Sequence, residues 1–120
     1  MRAGGSYFLP IGSVSMKPKE WELWLANVIF EEDRQQSKTR PFIVMVTGAG
    51  FAVGLKVTSQ GPRDNDYRLE YWSEAGLAKP SYVRLDKKVK IQESDLLHKL
   101  GRIHPIDRIK IEYRLAALVQ

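Results

Sequence analysis

Three short segments of this sequence combine reactive side chains with a backbone whose direction can be inferred. In the first, at positions 38–41, Arg40 precedes a proline, which biases Arg40 towards extended backbone where a polar segment meets an apolar one. The planar guanidinium of an arginine held in this way matches a phosphate group. The alternative is a surface salt bridge from Arg40 to the acidic residues at 31–33, because arginine is usually exposed.

The second segment closes an alternating apolar run with Thr58, Ser59 and Gln60. The alternation directs Lys56 and Thr58 away from the face that carries Val57. The two hydroxyls and the amide could therefore orient a phosphate or a ribose. Serine and threonine are also common at strand ends because they form turns, so this signal is weak on its own.

The third segment places Arg84 and Asp86 two residues apart on a predicted strand, and therefore on one face. A carboxylate beside an arginine can accept a proton while the cation stabilises nearby negative charge. The alternative interpretation is a solvent-facing ion pair with no chemical role.

The composition excludes several kinds of site. Without a cysteine in 120 residues, the chain cannot form a disulfide, a thiolate zinc site, an iron–sulfur cluster or a cysteine nucleophile. His98 and His104 are the only histidines, which argues against a multi-histidine metal site, and we expect no cofactor and no metal. The net charge of +5 favours an anionic partner without identifying it.

The elements that must position these residues fit a single domain. Residues 1–15 are predicted to be a flexible leader, with the domain spanning 16–120; the alternative is that residues 7–11 add an edge strand. Residues 1–15 lack the pattern of a secretory signal, and no apolar run approaches the roughly 20 residues of a membrane span. We expect a cytoplasmic protein that does not cross a membrane.

Strands are predicted first and helices last. The predicted strands are 21–30, 42–46, 51–58, 67–72 and one or two within 81–92, with long loops at 31–39 and 60–66. A short helix is expected at 95–100, with Ser94 as its N-cap and Gly101 at its C-terminus, followed by a second helix that begins near Pro105. This order, without alternation of strands and helices, favours a small α+β barrel over a Rossmann-type sheet.

The motifs occur in an order that resembles the MazF/PemK toxins of bacterial type II toxin–antitoxin systems. They are the arginine–proline pair, the Val-Thr-Ser strand end, an Ala-Gly-Leu turn at 75–77, PSYVRLD at 80–86 and LGRI at 100–103. The resemblance runs from about Trp21 to the C-terminus. It implies an SH3-like β-barrel of about five to seven short strands with a C-terminal helix, a homodimer, and a metal-independent ribonuclease that cuts single-stranded RNA at short sequences.

By this resemblance, Arg40 and Thr58 match the two residues on which cleavage in the family depends most. Arg84 and Asp86 match a pair that the Kid/PemK branch uses as acid and base, which other branches lack. Some members carry a histidine in the first loop; this chain does not, so Arg34 or Lys38 would supply the corresponding positive charge.

Such chemistry suits a chain without cysteine, because the ribose 2′-hydroxyl can itself attack the adjacent phosphate. Arg40 would stabilise the charged transition state, and Asp86, oriented by Arg84, would act as the base. The expected substrate-binding residues are Lys38, Ser59, Gln60, Arg34 and Arg63.

The resemblance also implies a cognate antitoxin with an acidic tail that lies across a basic groove. Two other functions stay open for a small barrel: a non-catalytic nucleic-acid-binding module, and a gyrase-poisoning toxin of the same fold.

Overall fold

The computed structural model describes residues 17–30 and 33–119. The strands are β1 (Glu22–Phe30), β2 (Asp33–Gly48), β3 (Phe51–Thr58), β4 (Asp66–Arg68), β5 (Tyr82–Gln92) and β6 (Leu96–Arg102), and the α-helix is α1 (Pro105–Leu118). A single 3₁₀ turn, Glu93–Asp95, connects β5 to β6. The predicted leader at 1–15 lies outside the described residues. Within them, no helix has the length and apolar character that a membrane crossing requires.

One six-stranded sheet organises the molecule, with the strand order β4-β5-β3-β2-β1-β6. Every neighbouring pair is antiparallel. The predicted α+β class with a C-terminal helix is confirmed. The pairing leaves β4 and β6 as edges, so the sheet is open and a closed SH3-like barrel is not observed.

Apolar side chains are buried on both faces of the sheet. Leu23 of β1 belongs to one cluster, together with Leu55 and with Ile111 of the helix. The next residue, Trp24, belongs to a second cluster with Phe42. Because successive side chains of a strand point to opposite faces, a strand that is buried on both sides must be apolar throughout, as the run from Leu23 to Val28 very nearly is.

The predicted loop at 31–39 is wrong for its described part, because β2 begins at Asp33. Residues up to Thr39 pair with β1, in the register Val28↔Lys38 and Asn27↔Thr39. A long β-ribbon that extends from a sheet needs backbone pairing but no apolar face. A polar strand of this kind therefore lacks the hydrophobic pattern by which strands are predicted from sequence.

The strand predicted at 67–72 is shorter than expected. Only Asp66–Arg68 pairs with β5, and the chain then turns, with the Ala75 N–H donating to the Tyr71 carbonyl and the Leu77 N–H to that of Trp72.

The short helix predicted at 95–100 is wrong as well. This segment is β6, which pairs with β1 through contacts such as Leu25↔His98 that local propensity does not encode. Gly101 is therefore not a helix cap. A Cβ at Gly101 would lie 2.3 Å from the Ala75 carbonyl oxygen, so the glycine permits the backbone of β6 to approach the turn at 75–77.

Helix α1 begins at Pro105 as predicted, and two side chains fix its first turn: His104 caps it, and Asp107 joins it to residues 67–71. The His104 Nδ1 accepts a hydrogen bond from the Ile106 N–H at 3.1 Å. The buried Asp107 carboxylate accepts from the Tyr67 hydroxyl and from the Glu70 and Tyr71 N–H groups. Burial and the Asp107 carboxylate raise the pKa of Tyr67, so its hydroxyl stays a donor.

We expect Asp107→Ala to lower the free energy of unfolding by about 3 kcal/mol, because it leaves a buried hydroxyl and two backbone donors without their acceptor. Urea unfolding measures the change. Glu112→Ala, which removes an exposed ion pair with Arg108 on the same helix, should cost less than about 1 kcal/mol. Equal losses in the two variants would contradict this role of Asp107.

Glu22 forms a second buried polar centre where β1 meets β6. It accepts hydrogen bonds from Trp24 Nε1 at 2.9 Å and from the Lys19 N–H at 2.8 Å, and lies 3.0 Å from Lys99 Nζ. Burial raises the pKa of Glu22, but these three partners outweigh it, so the pKa lies below its ordinary value.

We expect Glu22→Gln to have a lower free energy of unfolding than the wild type near neutral pH. This difference should shrink as the pH falls. A carboxylate with a depressed pKa contributes stability above its unfolded pKa of about 4.3, and this contribution is lost as the pH falls through the folded value. Urea unfolding near neutrality and at about pH 3 tests this expectation. The exposed Glu20→Gln should change neither value. A deficit for Glu22→Gln that is independent of pH would refute it.

Candidate active site

The site forms where β2 and β3 separate. At this end of the two strands the last pair of their ladder is Phe42↔Lys56. The residue that precedes Phe42 in β2 is Pro41, which has no N–H to donate. Continuing the same register by two residues would place Arg40 opposite Thr58. Arg40 stays paired with Ala26 of β1, while β3 beyond Lys56 pairs only with β5, so a gap opens between Arg40 and the end of β3.

A large bulge in β5 forms another wall of this gap. Leu55 pairs with Lys88 but Val57 pairs with Val83, so residues 84–87 of β5 face the single residue Lys56 of β3. Bulges redirect side chains and are frequent beside active sites. Here Arg84 pairs with Asp66 of β4.

The gap contains a cavity of about 90 Å³ with a strongly positive lining. Four cationic residues, a hydroxyl and an amide surround it. The lining residues are Arg40, Lys56, Val57, Thr58, Gln60, Arg63 and Arg84. No carboxylate is among the described residues that line the cavity, so its chemistry selects an anion with several acceptor oxygens, such as a phosphate.

A second cavity of about 180 Å³ adjoins the first and is less charged. It is lined by Arg40, Pro41, Val57, Thr58, Ser59, Leu77, Ala78, Lys79 and Ser81. Arg40 and Thr58 line both cavities. A ligand whose anionic group binds between these two residues can therefore extend into the second, partly apolar cavity.

Hydrogen bonds fix the loop that closes the first cavity. The Thr58 Oγ1 accepts from the Gln60 N–H at 3.0 Å, which makes Thr58 a turn residue whose own hydroxyl proton can still be donated. The Arg84 Nη2 donates to the Gln60 carbonyl at 2.9 Å. The Arg63 N–H donates to Asp66 Oδ2 at 2.8 Å.

Most residues that the sequence singled out meet here. Five of them line the first cavity and Ser59 lines the second; the five are Arg40, Thr58, Gln60, Arg63 and Arg84. Lys38 is exposed on β2 and Asp86 is exposed in the bulge, and neither is among the described residues that line the two cavities. Arg34 lies on β2, but its side chain is outside the described part of the chain.

The contacts of Arg84 run to Asp66 and Gln60, so its predicted orientation of Asp86 stays a prediction. Across 17–30 and 33–119, no group of three or more His, Cys, Asp or Glu side chains is placed to hold a metal ion.

Sequence reasoning assigned no role at the site to Lys56 and did not consider Asp66. The alternation of β3 could have indicated Lys56, since Lys56 and Thr58 share a face. Asp66 faces Arg84 across β4 and β5, an opposite-charge pair that becomes visible only once the strand register is known.

Comparisons with known proteins agree on one family. The model for the PemK-like, MazF-like toxin of type II toxin-antitoxin systems matches residues 19–119. A search of curated protein sequences finds no match.

Solved structures share the fold at low sequence identity. MazF from Deinococcus radiodurans (Form-I) is 17% identical, with a TM-score of 0.67 over 85% of this chain and 96% of that one. The MazE-MazF structure from the same organism is 17% identical, with a TM-score of 0.65 over 85% and 95%. A mycobacterial endoribonuclease in complex with its cognate antitoxin is 14% identical, with a TM-score of 0.63 over 86% and 95%.

Proposed function

The chain belongs to the PemK-like, MazF-like toxin family of type II toxin–antitoxin systems, and on this premise we propose that it is an endoribonuclease that cleaves single-stranded RNA at a short sequence without a metal ion. The observation that supports this most is the cavity whose described lining residues include four cations and no carboxylate. A phosphodiester carries a negative charge that grows when the phosphorus becomes pentavalent. Fixed cations around that position stabilise the transition state more than the ground state.

In the proposed reaction the substrate brings the nucleophile. The ribose 2′-oxygen attacks the adjacent phosphorus as its proton passes to a base. The bond from phosphorus to the 5′-oxygen then breaks, and that oxygen takes up a proton. The products are a 2′,3′-cyclic phosphate, which water can open to a monophosphate, and a 5′-hydroxyl.

Each cavity residue has a role that its chemistry supports. Arg40 and Lys56 stabilise the phosphorane oxygens, and the Thr58 hydroxyl donates to the phosphate. Arg84 adds positive charge from the side of β5. Arginine serves here as an electrostatic stabiliser, because a guanidinium holds its proton too tightly to be a good proton donor.

Asp86 is the proposed base. It lies two residues beyond Arg84 in the β5 bulge, and its exposure allows it to contact RNA that enters from outside. Arg84 would bring the phosphate, while Asp86 accepts the proton of the 2′-hydroxyl.

The RNA chain is proposed to continue past the scissile phosphate in two directions. Gln60 and Arg63 lie on the loop at one side, and Ser59 lines the adjoining cavity, where a base can enter. Lys38, which is exposed on β2, extends the positive surface along the ribbon, and Arg34 of the same strand is proposed as a further RNA-binding residue.

We also propose that the protein is a homodimer and that it acts in the cytoplasm. There it would cleave messenger RNA and so inhibit translation and growth. A cognate antitoxin with an acidic tail would neutralise it by covering the basic cavity. The mycobacterial structure is that of an endoribonuclease with its cognate antitoxin, and the MazE-MazF structure has the same fold. Apolar side chains such as Ile109 (65% exposed) and Tyr113 (78%) on α1 offer surface for association.

We expect the purified protein to cut a long single-stranded RNA at specific positions in the presence of EDTA. Arg40→Ala should lower kcat/KM by about 10² to 10³, the usual cost of removing one charge-stabilising donor, and Thr58→Ala should also reduce cleavage. Gel analysis of the RNA and end-group analysis of the products measure this.

Arg68→Ala is the matched control, because Arg68 is exposed on β4 and lines neither cavity. A 2′-deoxy substitution at the cut site should abolish cleavage there. Binding without cleavage at any protein excess would favour a nucleic-acid-binding module, and no effect on RNA at all would leave the gyrase-poisoning alternative.

A separate prediction concerns the base. Asp86→Asn should lower kcat by at least about 10², within the range for loss of a general base, and should remove the acidic limb of the pH–rate profile. Single-turnover cleavage as a function of pH measures both. An Asp86→Asn enzyme with the wild-type rate and profile would exclude Asp86 as the base.

A further inference from the structure

Asp66 does not line the positive cavity but contacts two of the residues that do, Arg84 and Arg63. Its side chain is 0% exposed and that of its partner Arg84 is 13% exposed, with Arg84 Nε lying 3.4 Å from Asp66 Oδ1. Its other oxygen, Oδ2, accepts the Arg63 N–H at 2.8 Å. We propose that Asp66 is a positioning residue that sets the orientation of Arg84 and of the loop at 60–66 for anion binding.

The contacts connect Asp66 to three cavity residues. It holds Arg84 directly and Arg63 through the backbone, and Arg84 in turn donates from Nη2 to the Gln60 carbonyl at 2.9 Å. Gln60, Arg63 and Arg84 all line the cavity, whereas Asp66 does not. The carboxylate can therefore fix these groups without competing with a phosphate for them.

The negative charge of Asp66 also contributes to the proposed positioning role. Four cations around a small cavity repel one another, and a carboxylate set behind them offsets part of that repulsion. A buried carboxylate is itself costly unless a cation faces it, so Asp66 and Arg84 depend on each other.

The pair is not closed into a full hydrogen bond. Asp66 Oδ1 and Arg84 Nε are buried atoms without a hydrogen-bond partner, the only two such side-chain atoms found in the described part of the chain. Their 3.4 Å separation exceeds the roughly 2.7–2.9 Å of a charge-assisted hydrogen bond. Such unsatisfied groups are rare in folded proteins, and one of the two residues, Arg84, lines the cavity.

Asp66→Asn separates the electrostatic role from a purely structural one. An asparagine carbonyl can still accept the Arg63 N–H, so the turn keeps its hydrogen bond. The amide that replaces Oδ1 is a donor facing the donor Arg84 Nε, and the negative charge is gone. If Asp66 served only to hold the loop, this variant would retain function.

The test uses the full chain and rests on the proposed ribonuclease function. We expect Asp66→Asn to lower kcat/KM for RNA cleavage in EDTA by about 10- to 100-fold, since small misplacement of a catalytic group costs up to about 10²-fold. In an Arg84→Gln background, Asp66→Asn should add less than about 2-fold, because the two residues act as one unit. Asp64→Asn, at an exposed position of the same loop, should match the wild type.

Thermal unfolding of each variant, with cleavage measured well below its Tm, separates misplacement from loss of the fold. An Asp66→Asn enzyme with wild-type activity would overturn the proposal, as would an equal loss in the wild-type and Arg84→Gln backgrounds. If the wild type does not cleave RNA, the ribonuclease proposal fails independently. The positioning role is then tested by the Kd of a mixed-sequence 2′-O-methyl RNA, where the same dependence on Arg84 supports it and additivity refutes it.

Discussion

The missing N–H of Pro41 is the constraint around which the site is arranged. Without that donor the β2–β3 ladder stops at Phe42, although β2 itself continues through its pairing with β1. From that point β3 pairs only with β5, and β2 and β3 diverge over a well-packed core. The cavity thus lies where the β2–β3 ladder is interrupted, beside the bulge of β5.

Paired strands hold the residues that line the cavity in fixed positions, which suits electrostatic catalysis. Arg40 is held by β1, Thr58 by β5 and Arg84 by the pairing with β4, so three different strand pairs fix the charged and polar groups. Groups positioned in this way need not reorganise when negative charge develops, which is what makes fixed charges effective. The flanking loop is less regular, and its two cavity residues depend on side-chain contacts instead.

The sequence predicted those parts of the site that local rules determine. A proline after Arg40 and the alternation before Thr58 were enough to identify both residues and the strands that bear them. The errors have a common origin in pairing between distant segments. The 33–39 ribbon and β6 are strands because β1 lies beside them, and Asp66 meets Arg84 only through the register of β4 and β5. Neither hydrophobic periodicity nor helix-cap signals contain that information.

The open sheet described above has a consequence for how copies of this chain can meet. An exposed strand edge invites another strand to pair with it, which leads to aggregation. Here β4 offers only three residues, and α1 reaches back to it through Arg114, which donates to the Asp66 carbonyl. On the opposite edge, β6 carries Lys99 and Arg102, both facing Glu22. The short length of β4 on one side and the charged residues of β6 on the other discourage these edges from pairing with further strands.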